Sequence, residues 1–295
     1  MPVDEPTAPK AAPKRARPKR VNTVGEWAAA DAPAKLPPVF AGLREMYGER
    51  RWRSHAEPID ELILTILSQR NTDRSTEQAY LTLRERFPTW EQVMTAPLDE
   101  VRDAIHFAGL YEMKAVRIQE VLRRVIEERG DFDLRFLQEM PLEEARAWLI
   151  ALPGVGPKTT AIVLLFSLGR PAFPVDTHVY RVTQRLGLIG PKATEASAHP
   201  ALETMLREAS ERGDLPATPQ AAMFEAHINL IGHGRKLCHA LGPECSRCRL
   251  LPLCPFGQHR VATAPPATAP GRTPRTKPVA PAAPANEQEP DPDAG

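Results

Sequence analysis

An all-α fold is what this sequence predicts, and three observations predict it. Apolar residues recur at helical spacing: Ile59, Leu62, Ile63, Ile66 and Leu67 fall at i, i+3, i+4, i+7 and i+8. No stretch sustains the strict apolar–polar alternation of a half-buried strand. Proline and glycine punctuate the chain at intervals suited to short helices, Pro near the starts and Gly near the ends. The apolar fraction of 42% supports a real core, and 295 residues allow one large domain or two modest ones. About ten helices are expected between residues 36 and 257.

The elements follow in order. "IDELILTILSQ" is the first strongly periodic helix. "STEQAYLTLRERF" offers Ser75 as an N-cap. "PLDEVRDAIHFAG" puts Pro97 at an N1-like place and stops at Gly109. "KAVRIQEVLRRVIEERG" closes at Gly130, and "PLEEARAWLIAL" opens at Pro141. "AIVLLFSL" is far shorter than the roughly 18–20 residues of a membrane span, so it reads as a buried helix.

The two ends differ from this middle. Residues 1–35 and 258–295 are rich in Pro and Ala and poor in large apolar side chains, and both are expected to be disordered, because they cannot bury enough surface to offset the entropy of ordering. The net charge of +1 names no partner, yet Lys10, Lys14, Arg15, Arg17, Lys19 and Arg20 gather near the start. "PKRARPKR" reads either as a solvated tail that grazes nucleic acid or as a nuclear or organellar address. With no apolar h-region, the start is not read as a secretory signal. The expected location is cytoplasmic and nucleoid-associated in a bacterium, nuclear or mitochondrial in a eukaryote. No membrane partner is expected.

"PLEEARAWLIAL", "PGVG" and "PKTTAIVLLFSLG" form helix, tight turn, helix. Gly154 and Gly156 can take positive φ and let another backbone approach, and Pro157 suits a first helical turn. The exposed N–H groups at such a start attract an anion, phosphate being the obvious one. On these residues alone the turn is equally a simple connector. Lys158 is equally a surface lysine, and Asp176 equally the N-cap of "THVYRVTQRL".

Two motifs together decide further. "LPGVGPKT" resembles the hairpin of the helix-hairpin-helix DNA glycosylases of the endonuclease III family, and "PVDTHVYRV" resembles that family's catalytic-aspartate segment. The resemblance covers about residues 50–257. It implies a two-domain fold: a six-helix barrel domain at 51–170, and an iron–sulfur domain built from 36–50 and 171–257. It implies a bifunctional DNA glycosylase and abasic-site lyase acting on oxidised pyrimidines in double-stranded DNA, as a monomer. Lys158 takes the place of the nucleophile that forms a Schiff base with the sugar, and Asp176 that of the carboxylate that steadies the cationic sugar. An attacking amine must be neutral, so partial burial or cationic neighbours are expected around Lys158. Two other readings stay open: a monofunctional adenine glycosylase of the same superfamily, which would lack the lysine, and a lesion-binding module without chemistry.

All four cysteines, Cys238, Cys245, Cys248 and Cys254, lie in one C-x6-C-x2-C-x5-C stretch. Such clustered thiolates need a metal, and zinc is the generic alternative. The spacing is similar to the endonuclease III loop, which implies a [4Fe–4S] cluster. The loop "HALGPE" departs from the family, carrying no Lys or Arg where basic residues usually meet phosphates, so Arg235, Lys236, Arg247 and Arg249 are expected to take over. A flipped-out base leaves a gap that must be filled. The turn "LSQRNTD" places Arg70 where the family has a plugging glutamine, with Gln69 one residue earlier, and either serves. In "AGLYEMKA", Leu110 matches the apolar wedge, with Tyr111 and Lys114 near the DNA backbone or the pocket.

Overall fold

The computed structural model describes residues 31–215 and 218–263, and what was expected of 1–30 and 264–295 lies outside them. Among the described residues there are twelve α-helices and no strand, rather than about ten helices. They are α1 (Ala32–Tyr47), α2 (Pro58–Ser68), α3 (Asp73–Arg86), α4 (Trp90–Thr95), α5 (Leu98–Ala104), α6 (Tyr111–Arg129), α7 (Leu142–Ile150), α8 (Pro157–Ile162), α9 (Thr177–Leu186), α10 (Glu195–Glu211), α11 (Pro219–Lys236) and α12 (Pro255–Ala262).

Both tail boundaries need correction. Helix α1 begins at Ala32, inside the stretch expected to be disordered, because Ala32 and Leu36 are buried and Pro33 sits in the first turn, where its missing N–H costs nothing. Helix α12 runs to Ala262 because Phe256 and Gly257 pack beside the cysteines. Other ends also moved. Thr72, not Ser75, caps α3, accepting the Ser75 N–H at 3.2 Å. Pro97 is the N-cap of α5, which ends at Ala104 well before Gly109.

The apolar residues gather in two clusters. The first takes Leu62, Ile63, Ile66 and Leu67 from α2, Ile118 and Leu122 from α6, Leu149 from α7 and Ala161 from α8. The second joins Leu36, Val39 and Phe40 of α1 to Val179 and Val182 of α9, Leu202 of α10 and Met223 of α11. Cutting back one fully buried aliphatic side chain such as Ile66 would cost about 2–5 kcal/mol.

The expected buried helix "AIVLLFSL" is split. Helix α8 ends at Ile162 and continues as a π-turn over Val163–Ser167. The segment before α2 satisfies the carbonyls this exposes: Trp52 Nε1 donates to Leu165 O at 2.7 Å, the His55 N–H to Phe166 O at 3.1 Å and Ser54 Oγ to Ser167 O at 3.3 Å.

Candidate active site

Lys158 and Asp176 each open a helix. Lys158 sits in the first turn of α8 and is exposed, so the partial burial expected of it is not seen. Gly154 has φ 68° and needs to be glycine. A Cβ there would also lie 1.9 Å from Nε of Arg117. Gly156 corrects the expectation of a second positive φ: its φ is −109°, and a Cβ on it would meet nothing within the protein.

Asp176 is the N-cap of α9. Its Oδ1 accepts the N–H groups of His178 at 2.9 Å and Val179 at 2.7 Å, while Oδ2 has no hydrogen bond among the described residues. The residues before it are pinned from behind by side chains the sequence did not single out. His227 Nδ1 meets Pro174 O at 2.9 Å, His199 Nδ1 meets Phe173 O at 3.1 Å, and Glu203 Oε2 accepts the Phe173 N–H at 2.9 Å. Burial pushes His227 down to about 4. The Asp176 carboxylate opposes that shift and the Lys158 ammonium adds to it, so the lysine and the aspartate both act on one buried ring. No local pattern marks these histidines; only their shared distance from the surface does.

Two turns beside the first cluster touch, and Arg117 ties one of them to the hairpin. Gln69 and Arg70 end α2, and Leu110 caps α6. Arg70 and Leu110, at φ 52° and 62°, are the only non-glycine residues with positive φ among the described residues. The two turns touch: a Cβ on Gly109 would lie 3.2 Å from the Arg70 carbonyl oxygen. Leu110 is 47% exposed, so packing into the core does not explain it, and Phe107 and Met113 beside it are exposed too. Lys114, expected near the DNA backbone or the pocket, is buried, 2% exposed, and donates from Nζ to Leu67 O at 2.7 Å. Burial and the neighbouring Arg117 hold its amine down to about 8. Arg117 Nη1 donates to Gln69 Oε1 at 2.9 Å while its stem covers Gly154, joining the Gln69 turn to the hairpin. Tyr111 is half-buried against the first cluster.

The basic residues expected to meet DNA near the cysteines mostly have carboxylate partners. Arg235 makes a two-pronged pair with Asp73 at 2.7 and 3.2 Å, Arg247 pairs with Glu244, and Arg249 with Glu45. Lys236 lies over the Tyr47 ring. A phosphate would compete with these carboxylates.

The four cysteines line one cavity with Val182, Arg185 and Leu186 of α9, His233 of α11 and Phe256 of α12. Arg185 Nη1 donates to Cys238 Sγ and the Gly257 N–H to Cys254 Sγ, both at 3.3 Å. Burial pushes the Cys254 thiol up to about 12, so four thiolates there require a cationic group to neutralise them. Among the described residues no three His, Cys, Asp or Glu side chains converge as one metal ion would need. The four thiols lining one cavity are a donor set that fits a thiolate-ligated group. No helix among the described residues is long and apolar enough to cross a membrane.

Residues 63–208 match the HhH-GPD superfamily of base excision DNA repair proteins. That defines the class: a helical DNA repair protein built around a helix-hairpin-helix. The chain is 34% identical to endonuclease III of Bacillus subtilis over 206 residues, 70% of this chain and 84% of that one. It is 33% identical to a protein of Arabidopsis thaliana named as a DNA glycosylase, over 65% of this chain but only 58% of that longer protein. A solved non-covalent complex of endonuclease III with DNA superposes with a TM-score of 0.64 at 28% identity, covering 78% of this chain and 98% of that one. The chain belongs to the endonuclease III family, and is a DNA-binding glycosylase of base excision repair.

Proposed function

We propose that the chain is a bifunctional glycosylase and abasic-site lyase acting on damaged pyrimidines in duplex DNA. Lys158, as the neutral amine, attacks C1′ of the deoxyribose, and the damaged base departs with the bonding electron pair. Asp176 stabilises the positive charge that develops on the sugar, through the oxygen that capping leaves free. The nitrogen sheds a proton and its lone pair opens the C1′–O4′ bond, O4′ taking up a proton, and the iminium so formed acidifies the C2′ proton. Its removal expels the 3′ oxygen by β-elimination and cuts the strand.

The observation that supports this reading is the pair of helix starts: Lys158 stands exposed in the first turn of α8, and Asp176 caps α9 through one carboxylate oxygen and keeps the other free. The two apolar clusters support a division into a barrel domain at 51–170 and a second domain from 36–50 and 171–257, with DNA in the groove between them. Cys238, Cys245, Cys248 and Cys254 would hold a [4Fe–4S] cluster, which when bound supplies a cross-link that fixes their loop. No step of the reaction passes through it.

Borohydride reduction on a duplex with an abasic site tests the chemistry. A covalent protein–DNA adduct is expected from the wild type and none from Lys158→Gln, with lesion-DNA binding largely kept. An adduct from Lys158→Gln overturns the assignment of the lysine. Binding without any adduct in the wild type leaves a lesion-binding module.

A further inference from the structure

We propose that Arg70, and not Gln69, enters the gap left by the flipped nucleotide, and that it reads the base left opposite, favouring cytosine. The proposal rests on the glycosylase reading above. It concerns sites left by lost or damaged guanine, which lie opposite cytosine; the damaged pyrimidines proposed above lie opposite purines, where this two-pronged contact is not made.

Alignment puts Arg70 in the place of the plugging glutamine with Gln69 one residue earlier, and either could fill the gap, but their surroundings differ. Gln69 is half-buried and its amide oxygen is held by Arg117. Arg117 in turn covers Gly154, so moving Gln69 into DNA would break the tie between this turn and the hairpin. Arg70 is exposed, and its guanidinium has no hydrogen bond or ion pair among the described residues.

The backbone beneath Arg70 is held from several sides. The Leu67 carbonyl takes Lys114 Nζ at 2.7 Å and Asn71 Nδ2 at 3.4 Å. The N–H of Asn71 donates to Ser68 O at 3.1 Å, and Gly109 presses on the Arg70 carbonyl from the neighbouring turn. A left-handed φ on a non-glycine residue costs about 1–2 kcal/mol and persists only where its surroundings enforce it. Here the enforced residue is a long, unpartnered cation. The other enforced residue is Leu110, exposed in the turn that touches it. Two turns thus present a donor and an apolar wedge side by side.

The chemistry of the guanidinium sets the preference. It is a donor only, in a fork that matches two adjacent acceptors. A side chain that replaces a flipped base faces the Watson–Crick edge of its former partner. Cytosine offers N3 and O2 side by side there. Thymine has two acceptors split by a donor, adenine one acceptor beside a donor, and guanine one acceptor beside two donors. A glutamine, which donates and accepts, would not draw this distinction.

The test uses the full chain and fluorescence anisotropy on four duplexes, each with a tetrahydrofuran abasic analogue opposite A, C, G or T. Binding opposite C is expected to be tighter than opposite G by at least about fivefold, the lower end for one bidentate base contact. Arg70→Lys keeps the charge and loses the fork, so the four affinities should converge while the weakest changes little. Gln69→Ala should keep the order. Circular dichroism confirms that both variants fold. Equal wild-type affinities overturn the proposal, as does a preference that survives Arg70→Lys or disappears in Gln69→Ala. Failure to bind any abasic duplex overturns the glycosylase reading along with it, whereas a flat pattern with good binding overturns only the role of Arg70.

Discussion

Replacing Asp176 by Asn separates a helix cap from a catalytic charge. In the structure one carboxylate oxygen accepts two N–H groups at the start of α9, at 2.9 and 2.7 Å. Asparagine keeps that acceptor and is as good an N-cap as aspartate, so the melting temperature should move by no more than about 2 °C. Alanine removes the acceptor and should cost about 1–2 kcal/mol, or roughly 2–8 °C in a domain of this size. Both variants lose the charge, and both should lose at least about a hundredfold in excision of an intact damaged base, the scale of one lost charge-stabilising group. His227 does not confound the comparison. Burial holds it near 4 and the carboxylate opposes that shift, so loss of the carboxylate moves it lower and it stays neutral at pH 7. An abasic site has already lost its base, so strand cleavage there should fall less. The assay times both steps on one duplex, with and without the damaged base. Equal losses in the two steps refute the charge-stabilising role, and a large fall in melting temperature for Asn makes the residue chiefly structural.

Three further expectations follow from neighbouring residues. Cys254→Ala should purify without the broad visible absorption expected of the wild type and with reduced solubility. Zinc in wild-type protein purified anaerobically, with no such absorption, would exclude an iron–sulfur group. Gly154→Ala places a Cβ on Arg117 at a φ of 68°, so it should cost about 1–2 kcal/mol and weaken duplex binding; an unchanged denaturation midpoint would contradict this. Lys114 gives a pH signature. Its folded pKa is lowered to about 8 from 10.5, so above pH 8 the unfolded chain holds the proton that the folded chain has shed. Its contribution therefore makes stability rise between about pH 8 and 10.5. In Lys114→Met that component is absent, and identical urea-midpoint profiles for the two proteins would show that the buried amine is not shifted.

The helical architecture was legible because each helix carries its own apolar spacing and punctuation, as in α2 and in α6 with Gly130 at its end. Asp176 as the cap of α9 was legible for the same local reason. What escaped depends on partners distant in the chain. Lys114 looks like a solvated charge until Leu67 O is found above it. Gln69 and Arg70 are adjacent polar residues until Arg117 claims one of them. Arg235 looks free until Asp73 appears across from it. The π-turn after α8 was hidden because its apolar residues suit either helix, and the choice was settled by carbonyl acceptors for Trp52, Ser54 and His55.

Helix α9 has Asp176 at one end and the cysteine cavity at the other, where Arg185 donates to Cys238 Sγ, to His239 O at 2.7 Å and to Ala240 O at 3.1 Å. A ten-residue helix is a stiff rod of about 15 Å, so a shift at one end is felt at the other. Whatever fills the cavity therefore bears on the far end of the same rod that Asp176 caps, and the buried Val179 and Val182 hold that rod between the two.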